Sequence, residues 1–190
     1  MKMPPTPMLL AGGAGLILIG LLIYKSRRAI QNTYRMITRN YFTIAELTRS
    51  STATAKGIDN TPTAAVRANL EALISNLLNP IREKYGNPIV VTSGYRCAAL
   101  NKAVGGVADS QHLTGNAADL VGEHGTAEEV KAIFRAALSV GGYDQLIIEH
   151  KGATRWVHVS WSASRRRGQL LCYRNGTYTN ITTANWQAYV

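Results

Sequence analysis

Two histidines and an aspartate are the residues of this chain whose types and spacing best fit metal chemistry. His112 and Asp119 lie seven residues apart in SQHLTGNAADL, and His158 lies in the later run WVHVSW. Two imidazoles and one carboxylate form a usual catalytic zinc set, because they leave a fourth position for water. Each residue taken singly is more often an inert surface residue, so spacing alone leaves the zinc site as one alternative.

An arginine at the end of a predicted strand is the second candidate group. Arg96 closes the segment TSGYR, which follows the apolar run that begins at Pro88. A guanidinium at a strand end presents a two-pronged donor to a carboxylate. The alternative is a structural ion pair.

The elements that must position these groups follow from the hydrophobic pattern. Apolar residues recur at helical spacing from Val66 to Leu78, which predicts a helix that reaches Pro80 and continues through Tyr85. Thr126 and Glu129 form a capping box for a helix through Val140. The predicted strands are 88–93, 145–149, 155–161 and 169–174, the last followed by an Asn175-Gly176 hairpin turn. Helices precede most strands, so we expect an α+β fold with an antiparallel sheet and flanking helices.

Composition limits the architecture to one globular domain with one appendage. The 190 residues are 46% hydrophobic and 17% charged, which excludes a long disordered chain and a multidomain assembly. The net charge is +10, but six of the 21 basic residues lie in the first 40 residues, where there is no acid. No nucleic-acid-binding motif accompanies this charge, so we expect no nucleic-acid partner. Two cysteines, Cys97 and Cys172, are too few for a disulfide scaffold, and whether they pair stays open.

The appendage is predicted to be a membrane anchor. Met8 to Tyr24 is a run of seventeen uncharged residues, near the lower limit for one transmembrane helix, and no small-residue cleavage site follows it. Residues 1–40 are therefore assigned to the anchor and a basic linker, and 41–190 to the folded domain with a C-terminal hairpin. Five Lys or Arg residues follow the span by residue 39, which predicts that the carboxyl side stays cytoplasmic.

Several ordered blocks carry a family resemblance. They are FTIAELTRSSTA, GIDNTP, NLEALISNLLNPIREKYGNPIVVTSGYR, LNKAVGGVADSQHLTGNAADL, YDQLIIE and WVHVSW. From about Tyr41 to Trp161 the chain resembles the peptidase M15 family, which comprises zinc D-alanyl-D-alanine carboxypeptidases and related peptidoglycan endopeptidases. The resemblance implies a peptidoglycan stem peptide as substrate and one zinc ion bound by His112, Asp119 and His158.

The resemblance also implies roles around the metal. Arg96 would hold a substrate carboxylate or stabilise the developing oxyanion. Ser93 and Tyr95 are predicted to contribute to substrate binding from their place beside Arg96 in the sequence. Trp156 could form an apolar wall for the stem peptide. Aromatic residues beside a strand are more often core residues, so for Trp156 and Tyr95 both interpretations stay open.

The general base departs from the family pattern. Many relatives carry a glutamate three residues before the last zinc histidine, but this chain has Arg155 there. Glu149 is the predicted substitute. A four-residue hairpin loop over 151–154 would pair Glu149 with Trp156 and place it on the face of His158, roughly 7 to 8 Å away diagonally. The alternative for Glu149 is a salt bridge with a neighbouring basic residue.

His150 is the second acid-base candidate. In the register assumed for the hairpin it points to the face opposite Glu149, and a slip of one residue would exchange the two side chains.

These observations predict a membrane-anchored zinc metallopeptidase that hydrolyses an amide bond in peptidoglycan stem peptides. Its setting would be cell-wall remodelling, phage entry or phage lysis, at a bacterial inner membrane or the membrane of a phage virion. A domain held on the cytoplasmic side would not meet the wall, which favours a phage origin or a signal anchor that overrides the charge rule. The alternative is a noncatalytic wall-binding or virion structural protein, and the missing glutamate at position 155 favours it.

Overall fold

The computed structural model describes residues 24–26 and 40–190, and residues 40–190 belong to one compact unit. The predicted anchor over 8–24 and the linker therefore lie almost wholly outside the described residues. No helix in the described ranges is long and apolar enough to cross a membrane.

Within residues 40–190, six α-helices flank the sheet. They are α1 (Ile44–Thr48), α2 (Ser51–Lys56), α3 (Ala64–Leu73), α4 (Asn79–Tyr85), α5 (Ala98–Ala103) and α6 (Ala127–Val140), with a π-helical segment Ile74–Leu78 joining α3 to α4. The predicted long helix is thus confirmed. Its π-helical segment ends two residues before Pro80, which cannot donate a backbone hydrogen bond. The capping box at the start of α6 is also confirmed, because the Thr126 side chain accepts from Glu129 N–H and the Glu129 side chain accepts from Thr126 N–H.

In the same described range, six strands form one sheet in the order β1-β2-β4-β3-β5-β6. Their bounds are β1 (Ile89–Ser93), β2 (Ala117–Gly122), β3 (Gln145–Lys151), β4 (Thr154–Ser160), β5 (Gln169–Arg174) and β6 (Thr177–Asn180). Asn175 and Gly176 both have positive φ, at 52° and 82°, as the predicted hairpin turn between β5 and β6 requires.

The expectation of an antiparallel sheet is wrong for one pair of strands, because β3 and β5 are parallel and the sheet is mixed. β4 ends beside the beginning of β3, and the loop 161–168 then passes that end of the sheet. The N–H of Gln169 donates to the Asp144 carbonyl at 3.0 Å, which starts β5 at the same end as β3. β5 must therefore run in the direction of β3.

The hairpin of β3 and β4 has the predicted register. Glu149 pairs with Trp156, and Ile147 pairs with His158. β3 ends two residues later than predicted and β4 begins one residue earlier, because residues 151 and 154 also pair and leave a two-residue turn. His158 is in turn directly opposite Asp119 of β2, a strand that the hydrophobic pattern did not predict.

The two faces of the sheet have different roles. Side chains of one face, among them Leu120, Leu146, Ile148, Val157 and Val159, are fully buried in the main hydrophobic core together with residues of α3, α4 and α6. Alternate residues of the same strands point to the other face. That second face carries Asp119, Glu149 and His158, so the packed core fixes the backbone beneath them.

Candidate metal centre

Three ligand atoms converge on the second face of the sheet. His112 Nε2 lies 3.3 Å from Asp119 Oδ1 and 3.3 Å from His158 Nδ1, and the last two atoms are 2.9 Å apart. All three residues are buried, with 2 to 7% of their surface exposed. The structure therefore brings together the three residues that the sequence singles out for metal binding.

The dimensions of this cluster fit a zinc ion. Zinc–nitrogen bonds of about 2.0 to 2.1 Å in tetrahedral geometry separate two ligand atoms by about 3.3 Å. The distances of 2.9 to 3.3 Å match that separation closely. Two imidazoles and a carboxylate are also the donor types that zinc prefers, so the residues present fit the metal that the sequence predicts.

His112 is oriented by a backbone carbonyl. It follows Ser110 in a 3-10 turn, Gln111–Thr114, and its Nδ1 lies 2.6 Å from the carbonyl oxygen of Gly94. Because a carbonyl only accepts, Nδ1 carries the proton and the lone pair of Nε2 faces the cluster. Gly94 itself cannot carry a side chain, since a Cβ there would lie 2.2 Å from the carbonyl oxygen of Leu47.

The two carboxylate oxygens of Asp119 have different partners. Oδ1 faces the two histidines, whereas Oδ2 accepts a hydrogen bond of 3.2 Å from Arg96 Nη2. Arg96 is further held by Ser93 Oγ at 2.9 Å from Nε and by Asn101 Oδ1 at 3.4 Å from Nη1. This arrangement leaves one oxygen of Asp119 free for a metal and fixes the guanidinium beside the cluster.

Burial and the charges of the cluster together shift the pKa values of its members in different directions. Burial lowers the pKa of His112 by more than the neighbouring carboxylate raises it. For His158, burial again opposes the charged form, but the hydrogen bond and charge of Asp119, with the charge of Glu149, raise the pKa overall. Burial alone would raise the pKa of Asp119, yet its contacts with the two histidines hold that pKa well below the ordinary value. The carboxylate thus stays ionised.

Glu149 lies at the edge of the cluster without belonging to it. Its Oε1 is 4.0 Å from His158 Nδ1, and its side chain is 17% exposed. Burial, together with the negative charge of Asp119, raises the pKa of Glu149 despite the opposing effect of His158 and Arg96. A carboxyl group with a raised pKa beside a metal cluster is suited to accept and return a proton.

A cavity of about 1390 Å³ opens over the cluster. Ser93, Tyr95 and Trp156 all line it, and their part in substrate binding stays a prediction. Ser93 also orients Arg96 through its hydroxyl oxygen. Tyr95 is only 8% exposed and packs in the hydrophobic core, so most of its ring is structural.

His150 is not brought to the cluster. Its side chain lies on the core face of the sheet, because it alternates with Glu149 along β3. Its Nε2 is 2.7 Å from the carbonyl oxygen of Tyr189 and 3.2 Å from Arg174 Nη2. This is the face that the assumed register gives His150, because the register did not slip, and its role as a second acid-base residue stays a prediction.

Asp144 is a site-supporting residue that the sequence reasoning missed. Its side chain is fully buried and accepts from Arg167 Nε at 2.8 Å, Arg167 Nη2 at 2.7 Å and the backbone N–H of Arg167 at 3.0 Å. It also accepts from Gln111 Nε2 at 2.9 Å, and Gln111 directly precedes the ligand His112. An acid immediately before a buried strand, with an arginine run downstream, was the available signal.

Asn101 was also missed. Besides accepting from Arg96, its amide donates to the Val107 carbonyl at 2.9 Å and so ties α5 to the loop that precedes His112. Its place within a short helix gave no sign of this role in the sequence.

Comparison with known proteins agrees with this geometry. The family model for peptidase M15 matches residues 40–160, and the chain belongs to the peptidase M15 family. The chain is also similar to the zinc D-Ala-D-Ala carboxypeptidase of Streptomyces albus G, with 35% identity over 131 residues. The match covers 64% of this chain and 48% of the relative, so the chain spans about half the length of that protein.

Proposed function

We propose that this protein is a zinc-dependent peptidase that hydrolyses an amide bond in peptidoglycan stem peptides. The observation that carries the proposal is the convergence of His112 Nε2, Asp119 Oδ1 and His158 Nδ1 beside the Glu149 carboxylate. The family of the chain and its similarity to a zinc D-Ala-D-Ala carboxypeptidase support the same reaction class.

The three ligand side chains would hold one zinc ion, which supplies Lewis-acid chemistry by activating water and polarising a carbonyl. Glu149 accepts the proton that the attacking water loses and returns it to the nitrogen that leaves the amide. Its position at 4.0 Å from His158 Nδ1 keeps the carboxylate near the reacting atoms without making it a ligand. The products are a new carboxylate and a free amine.

Arg96 provides positive charge on the other side of the cluster. Three of its N–H groups already donate to Ser93, Asn101 and Asp119, and a guanidinium has five in all. The remaining donors are available for a substrate carboxylate or for the oxygen on which negative charge develops. The fixed position of the group means that little reorganisation is needed during the reaction.

The cavity favours an acidic and extended substrate. Its lining includes five Lys or Arg side chains against three Asp or Glu side chains. A volume of about 1390 Å³ exceeds the roughly 300 to 1,000 Å³ of pockets for small ligands, so there is room for more than a terminal dipeptide. Either a carboxypeptidase or an endopeptidase reaction on such a peptide is compatible with this cavity.

The test combines zinc content with hydrolysis of purified muropeptides by the full chain, and mass spectrometry identifies the cleaved bond. We expect stoichiometric zinc and hydrolysis in the wild type, and loss of zinc in His158→Ala. Glu149→Gln should keep its zinc and lose about a hundredfold or more of kcat, since general bases contribute on this order. Glu123→Gln is the matched control, because it removes an exposed carboxylate outside the cavity lining.

Each departure from this result has a distinct meaning. Stoichiometric zinc without hydrolysis of any stem peptide would replace the proposal with a binding or assembly role. Absence of zinc from the wild type would overturn the ligand assignment, and full activity in Glu149→Gln would overturn the assignment of the base.

Membrane attachment through residues 8–24 stays a prediction, as do the bacterial or viral setting and the sidedness. The supporting feature is the uncharged run followed by basic residues. Protease protection in membrane vesicles tests the attachment and its sidedness. Protection of the carboxyl domain in right-side-out vesicles supports the cytoplasmic orientation, and a soluble full chain would contradict the anchor.

A further inference from the structure

The C-terminal hairpin contributes to the cavity although it lies beyond the family match, which ends at residue 160. Tyr173, Asn175, Gly176 and Tyr178 of this hairpin line the cavity, together with Lys151 at the end of β3. We call the region formed by Lys151, Tyr173 and Tyr178 the hairpin corner. The hairpin corner forms part of the cavity wall, and its residues are not among the candidate metal ligands.

Sheet register places the hairpin corner at a defined distance from Glu149, the proposed general base beside the metal centre. Glu149 pairs with Tyr173 across β3 and β5, and Tyr173 pairs with Tyr178 across β5 and β6. Adjacent strands are about 4.8 Å apart, so the Tyr178 backbone lies about 10 Å from that of Glu149. This distance corresponds to about three residues of an extended peptide.

An exposed aromatic ring characterises the hairpin corner. Tyr178 is 51% exposed, and its ring packs at 4.7 Å between centroids against Tyr173 with an angle of 45° between the planes. The contact with Tyr173 holds one side of the ring, so the exposed remainder offers a fixed apolar surface toward the cavity. Such a surface suits the aliphatic part of a side chain or backbone.

Positive charge accompanies this ring. Lys151 is exposed and lies two residues after Glu149 on the same strand face, about 7 Å along β3. Within the part of the chain that the structure describes, Lys151 forms no salt bridge, whereas Arg96 and Arg167 are each paired with a buried aspartate. Its ammonium group is therefore available for an anion in the cavity.

We propose that the hairpin corner is a distal subsite that binds a carboxylate-bearing residue of the substrate peptide, about three residues from the hydrolysed bond. Lys151 pairs with the carboxylate, and Tyr178 packs against the carbon chain that bears it. This inference rests on the proposed peptidase function and adds that the enzyme discriminates substrates by a negative charge far from the reacting amide.

The test measures binding separately from hydrolysis. Two synthetic stem peptides are used, identical except that the carboxylate three residues from the cleaved bond is a carboxamide in one of them. Both are titrated by calorimetry into the zinc-loaded full chain carrying Glu149→Gln, in which the cavity is kept and hydrolysis is suppressed. We expect the carboxylate peptide to bind about two- to fivefold more tightly, the range of an exposed ion pair.

Further substitutions in that background assign the effect to the hairpin corner. Lys151→Gln should abolish the preference for the carboxylate, and Tyr178→Ala should weaken both peptides by roughly fivefold. Lys102→Gln removes an exposed charge outside the cavity lining and should keep the preference. Higher salt should reduce the preference in the parent protein.

Equal affinity for the two peptides, or an undiminished preference in Lys151→Gln, overturns the subsite. Failure of the wild type to hydrolyse either peptide is instead a failure of the proposed function, and the binding preference still decides the subsite. If Lys151→Gln still binds the carboxylate peptide more tightly and Lys102→Gln does not, the substrate carboxylate binds elsewhere on the chain.

Discussion

Replacement of Asp144 by asparagine tests the network that connects the loop 161–168 to the metal centre. Burial alone would raise the pKa of Asp144, but hydrogen bonds from Arg167 and Gln111 outweigh it and lower the pKa from 3.8 to about 2. A difference of this size corresponds to about 2 kcal/mol of stability from the ionised form. Asparagine keeps the shape of the side chain and removes the charge.

The sign of the pH dependence follows from the direction of the shift. Because the pKa of Asp144 is depressed in the folded state, the carboxylate stabilises the fold fully above about pH 4 and loses this contribution as the pH falls toward 2. The variant has no such group to titrate. We therefore expect the free energy of unfolding of Asp144→Asn to be about 3 kcal/mol below that of wild type at pH 6, because Arg167 loses a buried partner. At pH 2 this difference between variant and wild type should be smaller by about 2 kcal/mol.

The assay is urea denaturation of the full chain at several pH values between 6 and 2, compared with wild type. Glu71→Gln is the control, because Glu71 forms an exposed ion pair with Arg67 and should change stability by less than about 0.5 kcal/mol at any pH. A stability gap for Asp144→Asn that stays constant from pH 6 to pH 2 would refute the electrostatic reasoning. A gap below about 1 kcal/mol at pH 6 would show that the network carries little energy.

Two further predictions concern the metal centre. Because the pKa of His158 is raised above its ordinary 6.5, zinc must displace a proton near neutral pH, and zinc affinity should fall about tenfold per pH unit below that pKa. Calorimetry in buffers of different ionisation enthalpy measures the released proton, and heats independent of buffer at pH 6.5 would contradict the assignment. Gly94→Ala should destabilise the fold by about 1 to 3 kcal/mol and weaken zinc binding, because its Cβ would meet the Leu47 carbonyl at 2.2 Å. The control Gly125→Ala has open space but a positive φ of 65°, so it should cost about 1 kcal/mol in denaturation and leave zinc affinity unchanged.

Sequence motifs predicted much of the fold because they depend on interactions between residues that are close in the sequence. The capping box of Thr126 and the positive-φ turn at Asn175 depend on neighbouring residues alone, and both are present. The register of β3 against β4 was predictable because the hairpin is short. The parallel pairing of β5 was not, since it depends on the path of the loop 161–168 around the end of the sheet.

The candidate site likewise contains residues that could be predicted from the sequence and residues that could not. His112, Asp119 and His158 could be found from residue type and from the resemblance, and the structure brings their ligand atoms together. The strand that carries Asp119 was not predicted, because Ala117 and Ala118 give a weak strand signal and become buried only beside their partner strand β4. The roles of distant partners such as Asp144 arise only in three dimensions.

The direct pairing of Asp119 with His158 makes correct folding and metal binding a single event. A slip of one residue between β2 and β4 would turn His158 toward the helices and Val157 toward the cavity. The slipped protein would therefore have neither the packed core nor the three converging ligand atoms. Misregistered molecules are therefore also molecules without a zinc site. In a refolding mixture or a library of variants, the fraction of molecules retained on a chelated-zinc probe would measure the fraction with native strand pairing. This measurement could replace a separate test of folding.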